Sequence, residues 1–105
     1  MKRLSDKIAL VTGSSSGIGK AVAECFAKEG ATVIITSNST VNKGMDVVTD
    51  IKSTGGNAVY YSADLRHRDN VKSLFQKIKT DFGRLDILVN NAGRTLTYEL
   101  SSVTE

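Results

Sequence analysis

The sequence contains no Pro and no Trp, and it has one Cys and one His among 105 residues. A single Cys excludes an intramolecular disulfide, and one Cys with one His cannot supply the four side chains of a structural zinc site. No apolar run approaches the ~18 residues that a membrane-spanning helix needs, and the run at residues 8–11 is too short for a secretory signal. We therefore expect a cytoplasmic protein with no metal site and no membrane partner.

A strong excess of one charge is also missing. Lys and Arg number 14 and Asp and Glu number 11, so the formal net charge is +3, and the basic residues do not cluster. This pattern argues against a nucleic-acid partner. The content of 40% hydrophobic and 24% charged residues is that of an ordinary globular domain, and the length is typical of one domain.

Short apolar runs alternate with helical patterns along the chain. The runs at residues 8–11, 32–36, 58–62 and 87–89 are short and mostly apolar, and the run at 32–36 is rich in β-branched residues, which predicts strands. Three stripes with helical spacing lie between them: Ile18, Ala21, Val22, Cys25 and Phe26; Val41, Met45, Val48 and Ile51; and Val71, Leu74, Phe75, Ile78 and Phe82. On this basis we interpret Cys25 as a core residue. The order β-α-β-α-β-α-β predicts an α/β fold with a parallel sheet between two helical layers.

A glycine-rich loop connects the first strand to the first helix. Its glycines, Gly13, Gly17 and Gly19, have the spacing G-x-x-x-G-x-G. In this position, glycines permit a tight turn, a close approach of the backbone to a pyrophosphate, and close packing of helix on sheet. The N–H groups at the start of the helix then favour an anion, and the serine hydroxyls in the turn add donors. A phosphate-binding loop of the GxxxxGK[ST] type is excluded, because Lys20 is followed by Ala and position 14 is Ser.

Three motifs together resemble the N-terminal part of the short-chain dehydrogenase/reductase family. They are the glycine loop with Thr12 before it, Asp64-Leu65 after the third strand, and Asn90-Asn91-Ala92-Gly93 after the fourth. The resemblance covers all 105 residues, with the 3-oxoacyl-carrier-protein reductase-like branch as one possibility. It implies a three-layer Rossmann-type sheet with strand order 3-2-1-4, truncated, in which residues 1–105 are the NAD(P)-binding domain of a longer fold.

The resemblance also implies a function, which is hydride transfer between a nicotinamide dinucleotide and a small-molecule carbonyl or alcohol by a homo-oligomer. The family's catalytic Ser, Tyr and Lys would lie beyond Glu105, since no Tyr in this chain has a Lys four residues later. We therefore name no catalytic residue and expect the 105-residue chain alone to be inactive. The alternative is a stand-alone nucleotide-binding or regulatory module without catalysis.

Cofactor-binding residues follow from the same resemblance. The pyrophosphate would be lined by the loop and the start of the helix, the adenine amino group would be bound by Asp64 with the Leu65 backbone beside it, and the ribose and nicotinamide would be bordered by the fourth-strand motif. Asp64 by itself could equally be a turn or helix-capping residue. The full set of predicted cofactor residues is Gly13, Ser15, Ser16, Gly17, Ile18, Gly19, Ser37, Asn38, Asp64, Leu65, Asn90, Ala92 and Gly93.

The end of the second strand bears on the choice between NADP(H) and NAD(H). NAD sites place an acidic residue there, about twenty residues past the glycines, to bind the ribose 2′-OH. This chain has Ser37 and Asn38 instead, which favours NADP(H) because no carboxylate repels a 2′-phosphate. No Arg stands at positions 37–39, and position 16 is Ser, so a plain polar turn is an alternative interpretation. Lys43 is a further candidate for the phosphate, although it also fits an exposed helix residue.

Overall fold

Four parallel strands form a single sheet in the order β3-β2-β1-β4 in the computed structural model, which describes residues 2–38 and 40–91. The strands are β1 (Ile8–Thr12), β2 (Thr32–Ser37), β3 (Asn57–Ser62) and β4 (Ile87–Val89). The helices between them are α1 (Gly17–Lys28), α2 (Val41–Ser53) and α3 (Arg68–Phe82). The predicted α/β class and the Rossmann-type strand order 3-2-1-4 are confirmed.

The sheet separates two hydrophobic cores. Ala9 and Val11 of β1 pack toward α1 and α2, whereas Ile8 and Leu10 pack toward α3. All residues of β1 are buried, since it is a central strand covered on both faces. This explains why the strand is a continuous apolar run rather than an alternating one.

The predicted core face is confirmed for α3 and partly wrong for α1 and α2. In α3, Val71, Leu74, Phe75 and Ile78 are buried as the spacing predicts. In α1 the buried residues are Gly19, Ala23 and Ala27, and Val22 and Phe26 pack beside them. Cys25 is exposed, so its interpretation as a core residue is wrong. Small residues allow the axis of α1 to approach the sheet closely, and this rotates the larger side chains away from it.

The same effect rotates α2. Its buried residues are Gly44, Val47, Val48 and Ile51, whereas Val41 and Met45 are 44% and 47% exposed. The reason is the close contact between Gly44 and Tyr60 of β3, where a Cβ atom on Gly44 would lie 2.2 Å from the tyrosine ring.

In the described part of the chain, none of the helices has the length and apolar character to cross a membrane.

Candidate functional site

A cleft of about 290 Å³ lies at the carboxyl ends of β1, β2 and β3. It brings together loops that are far apart in the sequence, because parallel strands end at the same edge of the sheet. Its lining residues are Gly13, Ser15, Ser16, Thr36, Ser37, Asn38, Thr40, Ala63, Asp64, Leu65 and Arg66. Seven of the predicted cofactor residues are in this set, namely Gly13, Ser15, Ser16, Ser37, Asn38, Asp64 and Leu65.

The glycine loop has the backbone conformation that its sequence predicts. Gly13 and Gly17 have φ angles of 62° and 61°, in the left-handed region that residues with a side chain rarely adopt. Gly19 is required for a different reason, because a Cβ atom there would lie 2.3 Å from the carbonyl oxygen of Gly13. The loop therefore folds tightly against the first turn of α1, and Gly19 is buried.

The first turn of α1 leaves N–H groups without intrahelical partners, as the start of every α-helix does. Ser16 is the N-cap residue, and within the described ranges its side chain makes no capping hydrogen bond. The first turn contains no acidic residue, and Lys20 follows Gly19 in it. Ile18 is 74% exposed at this end of the helix. The helix start is thus open and positively polarised, which favours an anion.

The serine hydroxyls of the loop have different roles. Ser14 is fully buried, and its Oγ donates to the Val11 carbonyl oxygen at 2.6 Å and accepts from the Thr36 N–H at 3.0 Å. The expectation that all three serines add donors for a ligand is therefore wrong for Ser14, which joins β1 to β2. Ser15 Oγ lies 2.7 Å from Thr40 Oγ1 in the cleft, and Ser16 is exposed.

The Asn-Asn motif connects the end of β4 to the glycine loop. The Asn91 side-chain amide donates to the Gly13 carbonyl oxygen at 3.2 Å, and Thr12 Oγ1 donates to Asn90 Oδ1 at 3.2 Å. Both asparagines are exposed on the side of β1 away from β2. The predicted residues Ala92 and Gly93 lie outside the described residues.

Hydroxyl and amide groups surround the end of β2. The Ser37 and Tyr60 hydroxyl oxygens are 2.7 Å apart, and Asn38 is exposed. Tyr60 thus packs on the edge strand β3 beside the end of β2. A second cavity of about 280 Å³ adjoins the first and shares Ser15 and Ser16 with it. Its other lining residues are Gly17, Lys20, Lys43 and Asp46.

The carboxylate of Asp64 is held by its neighbour Arg66. The Arg66 guanidinium donates from Nε to Oδ1 at 2.9 Å and from Nη2 to Oδ2 at 2.7 Å. Hydrogen bonds from the Arg66 side chain, more than any other cause, hold the pKa of Asp64 far below its usual range. His67 Nε2 lies 3.7 Å from Oδ2, and the His67 side chain is 67% exposed at the start of α3.

Thr40 and Arg66 line the cleft, and no motif in the sequence predicts either of them there. A weak signal existed for each. Thr40 immediately precedes a helix, where its hydroxyl is free to contact the glycine loop, and Arg66 is two residues from Asp64. Neither signal indicates a cleft without the sheet that brings the three loops together. Among the residues that the structure describes, no group of three or more His, Cys, Asp or Glu could hold a metal ion.

Comparisons with known proteins agree with this geometry. The family model described as "short chain dehydrogenase" matches residues 7–105. The chain is 45% identical over 93 residues to a 3beta-hydroxysteroid dehydrogenase of Mediterraneibacter gnavus, covering 89% of this chain and 33% of that protein. It is 41% identical over 104 residues to a hydroxynaphthalene reductase-like protein of Metarhizium guizhouense. This match covers 99% of this chain and 39% of that protein.

Solved structures give the same result. A metagenomic short-chain oxidoreductase in complex with NADP has a TM-score of 0.83 at 40% identity, covering 87% of this chain and 41% of that one. A hydroxysteroid dehydrogenase of Escherichia coli has a TM-score of 0.81 at 36% identity. This match covers 88% of this chain and 39% of that one. The chain thus spans two fifths or less of the length of the curated relatives described above.

Proposed function

Because the chain belongs to the short-chain dehydrogenase family, we propose that it is the cofactor-binding part of an oxidoreductase that uses NADP(H) in preference to NAD(H). The reaction would be hydride transfer between the nicotinamide and the carbon of a carbonyl or alcohol. The observation that carries this proposal is the cleft at the carboxyl edge of the sheet, where the glycine loop and Asp64 meet. A cytoplasmic location and assembly into a homo-oligomer are part of the same proposal.

The described residues fit a dinucleotide. Gly13 lines the cleft and Gly17 the adjoining cavity, both without a side chain, and Gly19 lets the loop pack closely against α1. In the described part of the chain, the Ser16 side chain does not cap α1, and no acidic residue lies in its first turn. The pyrophosphate would be held there with help from the Ser15 and Ser16 hydroxyls, and Ile18 would cover it. A nicotinamide ring supplies or accepts the hydride when the cofactor is bound.

The remaining predicted contacts are distributed around the same edge of the sheet. Asp64 and the Leu65 backbone would bind the adenine, and Ser37 and Asn38 would bind the adenosine ribose with its phosphate. Asn90, together with Ala92 and Gly93, would border the ribose and nicotinamide on the other side of β1. We assign proton transfer to no described residue.

The preference for NADP(H) has two supports. Ser37 and Asn38 occupy the position where an acidic residue would bind a free 2′-OH and repel a phosphate. Lys20 and Lys43 line the adjoining cavity together with Asp46, which leaves it with a net positive charge, and this cavity shares Ser15 and Ser16 with the cleft. The solved relative in complex with NADP is consistent with this preference.

Calorimetric titration of the purified protein with NADP⁺, NAD⁺ and ADP-ribose tests the proposal. We expect NADP⁺ to bind more tightly than NAD⁺. Asn38→Asp should lower the affinity for NADP⁺ by about tenfold and reverse the preference, because a carboxylate beside a phosphate is repulsive. Asn57→Asp makes the same change at the opposite edge of the sheet, and it should leave both affinities unchanged.

Absence of binding by the folded protein would refute the assignment of the cleft, and tighter binding of NAD⁺ would refute the cofactor preference. A carbonyl reduction assay with NADPH addresses the alternative. Consumption of NADPH with any carbonyl substrate would exclude a non-catalytic binding or regulatory module. Such activity in a preparation of residues 1–105 alone would also show that proton transfer does not require further chain.

A further inference from the structure

The turn between β3 and α3 contains an ion pair whose two members both line the cleft. Asp64 Oδ1 accepts hydrogen bonds from the Arg66 backbone N–H at 3.1 Å and from Arg66 Nε at 2.9 Å. Asp64 Oδ2 accepts a third from Arg66 Nη2 at 2.7 Å. The backbone is held as well, because Asn70 Nδ2 donates to the Asp64 carbonyl oxygen at 3.3 Å. One residue thus holds both carboxylate oxygens in a fixed orientation.

Counting acceptor positions shows what this orientation leaves available. An ionised carboxylate has about four lone-pair positions, two on each oxygen. The two contacts to Oδ1 fill that oxygen, and the Nη2 contact fills one position on Oδ2. His67 Nε2, at 3.7 Å from Oδ2, is beyond hydrogen-bond distance. Among the residues 2–38 and 40–91, one acceptor position on Oδ2 therefore remains for a donor that enters the cleft.

We propose that Arg66 is a positioning residue that presents this last acceptor position of Asp64 to the exocyclic amino group of adenine. The inference rests on the proposed function, since it concerns the same cleft. Its consequence is selectivity among bases. If the base carries a carbonyl in place of the amino group, its carbonyl oxygen faces the Asp64 carboxylate oxygen, and both atoms are hydrogen-bond acceptors. Because Arg66 holds the carboxylate in this orientation, that contact is repulsive.

The exposure of Arg66 makes this role separable from folding. The Arg66 side chain is 56% exposed, so solvent screens its ion pair with the 18% exposed Asp64, and the pair contributes little to stability. Replacement of Arg66 should therefore leave the fold intact. The fork geometry is also specific to arginine, because a lysine ammonium keeps the charge and cannot donate to both carboxylate oxygens in the same fixed plane.

The test is calorimetric titration of the purified protein and its variants with NADP⁺ and deamino-NADP⁺, which carries hypoxanthine in place of adenine. For the unchanged protein we expect NADP⁺ to bind about tenfold more tightly, as one hydrogen bond to a charged group would give. Arg66→Gln should reduce this ratio to about twofold or less, and Arg66→Lys should restore it only in part. Arg68→Gln removes the same charge at the first residue of α3 and should leave the ratio unchanged.

Each other outcome has a definite meaning. If the unchanged protein binds neither dinucleotide, the proposed function fails and this inference with it. If it binds and discriminates but Arg66→Gln keeps the same ratio, or weakens both dinucleotides equally, only the positioning role is overturned. Full restoration of the affinity ratio by Arg66→Lys would also overturn the positioning role. A positive charge at residue 66 would then be sufficient for the selectivity, without the orientation that the guanidinium gives to Asp64.

Discussion

Gly19 lies at the closest contact of the glycine loop. A Cβ atom at this position would lie 2.3 Å from the Gly13 carbonyl oxygen and 2.6 Å from the Asn91 side-chain nitrogen. Both neighbours belong to the site, since Asn91 Nδ2 donates to that same carbonyl oxygen. A methyl group here would therefore separate the loop from α1 and break the contact with the end of β4.

We expect Gly19→Ala to lower the affinity for NADP⁺ by more than tenfold and the free energy of unfolding by about 1–3 kcal/mol, because an added methyl group displaces backbone atoms. Calorimetry and urea unfolding measure the two effects. Gly55→Ala is the control, since Gly55 has a φ of 88° and no atom near its potential Cβ. Gly55→Ala should lower the free energy of unfolding by about 1 kcal/mol through backbone strain alone, and its affinity for NADP⁺ should be unchanged. Unchanged NADP⁺ binding by Gly19→Ala would contradict the close packing of the loop.

The asparagine and aspartate motifs show what could be predicted for single residues. The resemblance to the family predicts Asp64 for the cofactor site, the position at the end of the second strand predicts Ser37 and Asn38, and all three residues line the cleft. The sequence does not predict Arg66 and Thr40 for the cleft. Their place there depends on side-chain contacts, which Arg66 makes with Asp64 and Thr40 makes with Ser15. Such contacts have no periodic signal in a sequence.

The packing of α2 on β3 depends on one pair of residues. The ring of Tyr60 lies against Gly44, where a Cβ atom would approach ring carbon Cε1 to 2.2 Å. The hydroxyl of Tyr60 then donates to the Ser37 carbonyl oxygen at 3.2 Å, at the end of β2 that borders the cleft. Gly44 thus leaves space for the Tyr60 ring, and the Tyr60 hydroxyl reaches the end of β2 beside the cleft.

Gly44→Ala should lower the free energy of unfolding by about 1–3 kcal/mol, because α2 or the ring must move. In a Tyr60→Val background the same change should cost little, since the space beside residue 44 is then open and Ala favours a helix. Urea unfolding of the four proteins gives the coupling between the two positions. Equal costs in both backgrounds would show that the contact with Tyr60 is not the reason for Gly44.

The faces of the three helices could be predicted to different extents. The stripe of α3 consists of large apolar residues, and their spacing alone identifies the buried face. In α1 and α2 the centre of the buried face is formed by Gly19, Ala23 and Gly44. Hydrophobic periodicity gives little weight to such small residues, so it favoured Cys25 and Met45, which are exposed.

Asp86 joins the beginning of β1 to the beginning of β4. Its carboxylate accepts from the Ile8 N–H at 2.8 Å and from Arg84 Nε at 3.0 Å, and its own N–H donates to the Ile8 carbonyl oxygen at 2.9 Å. Burial raises the pKa of Asp86, but the hydrogen bonds from Ile8 and Arg84 outweigh it, and the net pKa is lowered. The start of β4 is thereby fixed to β1 across 78 positions of sequence.

Three carboxyl groups change the stability in the same direction as the pH falls, and the solvent-screened pairs of Glu29 and Asp64 contribute little of this change. The pKa of Glu29 is lowered by its hydrogen bond with Arg3, that of Asp64 by Arg66, and that of Asp86 as described. Each folded-state pKa is below the unfolded value, so the unfolded chain binds more protons as the pH falls. Their stabilisation is therefore present above the unfolded pKa of about 4 and is lost as the pH falls through the folded values.

We expect the free energy of unfolding to fall between pH 6 and pH 3, and Asp86→Asn to make this decrease smaller. At pH 7 the variant should be about 1 kcal/mol less stable, because it loses a charge-assisted hydrogen bond. Urea unfolding across this range measures both quantities. Asp50→Asn makes the same change on the exposed side of α2 and serves as the control. An identical acid slope for Asp86→Asn and the unchanged protein would exclude Asp86 as a contributor.

The amino-acid sequence by itself determined the order of the elements and the glycine loop, whereas the strand order followed from the resemblance to the short-chain dehydrogenase/reductase family. The order of the elements and the loop depend on local signals: β-branched runs, helical spacing and glycines at the turn between β1 and α1. The tertiary structure alone decided which faces of α1 and α2 are buried, that Ser14 joins two strands, and that Arg66 holds Asp64 at the cleft. Those features depend on distances between side chains, and only the folded sheet brings the loops that follow β1, β2 and β3 to one edge.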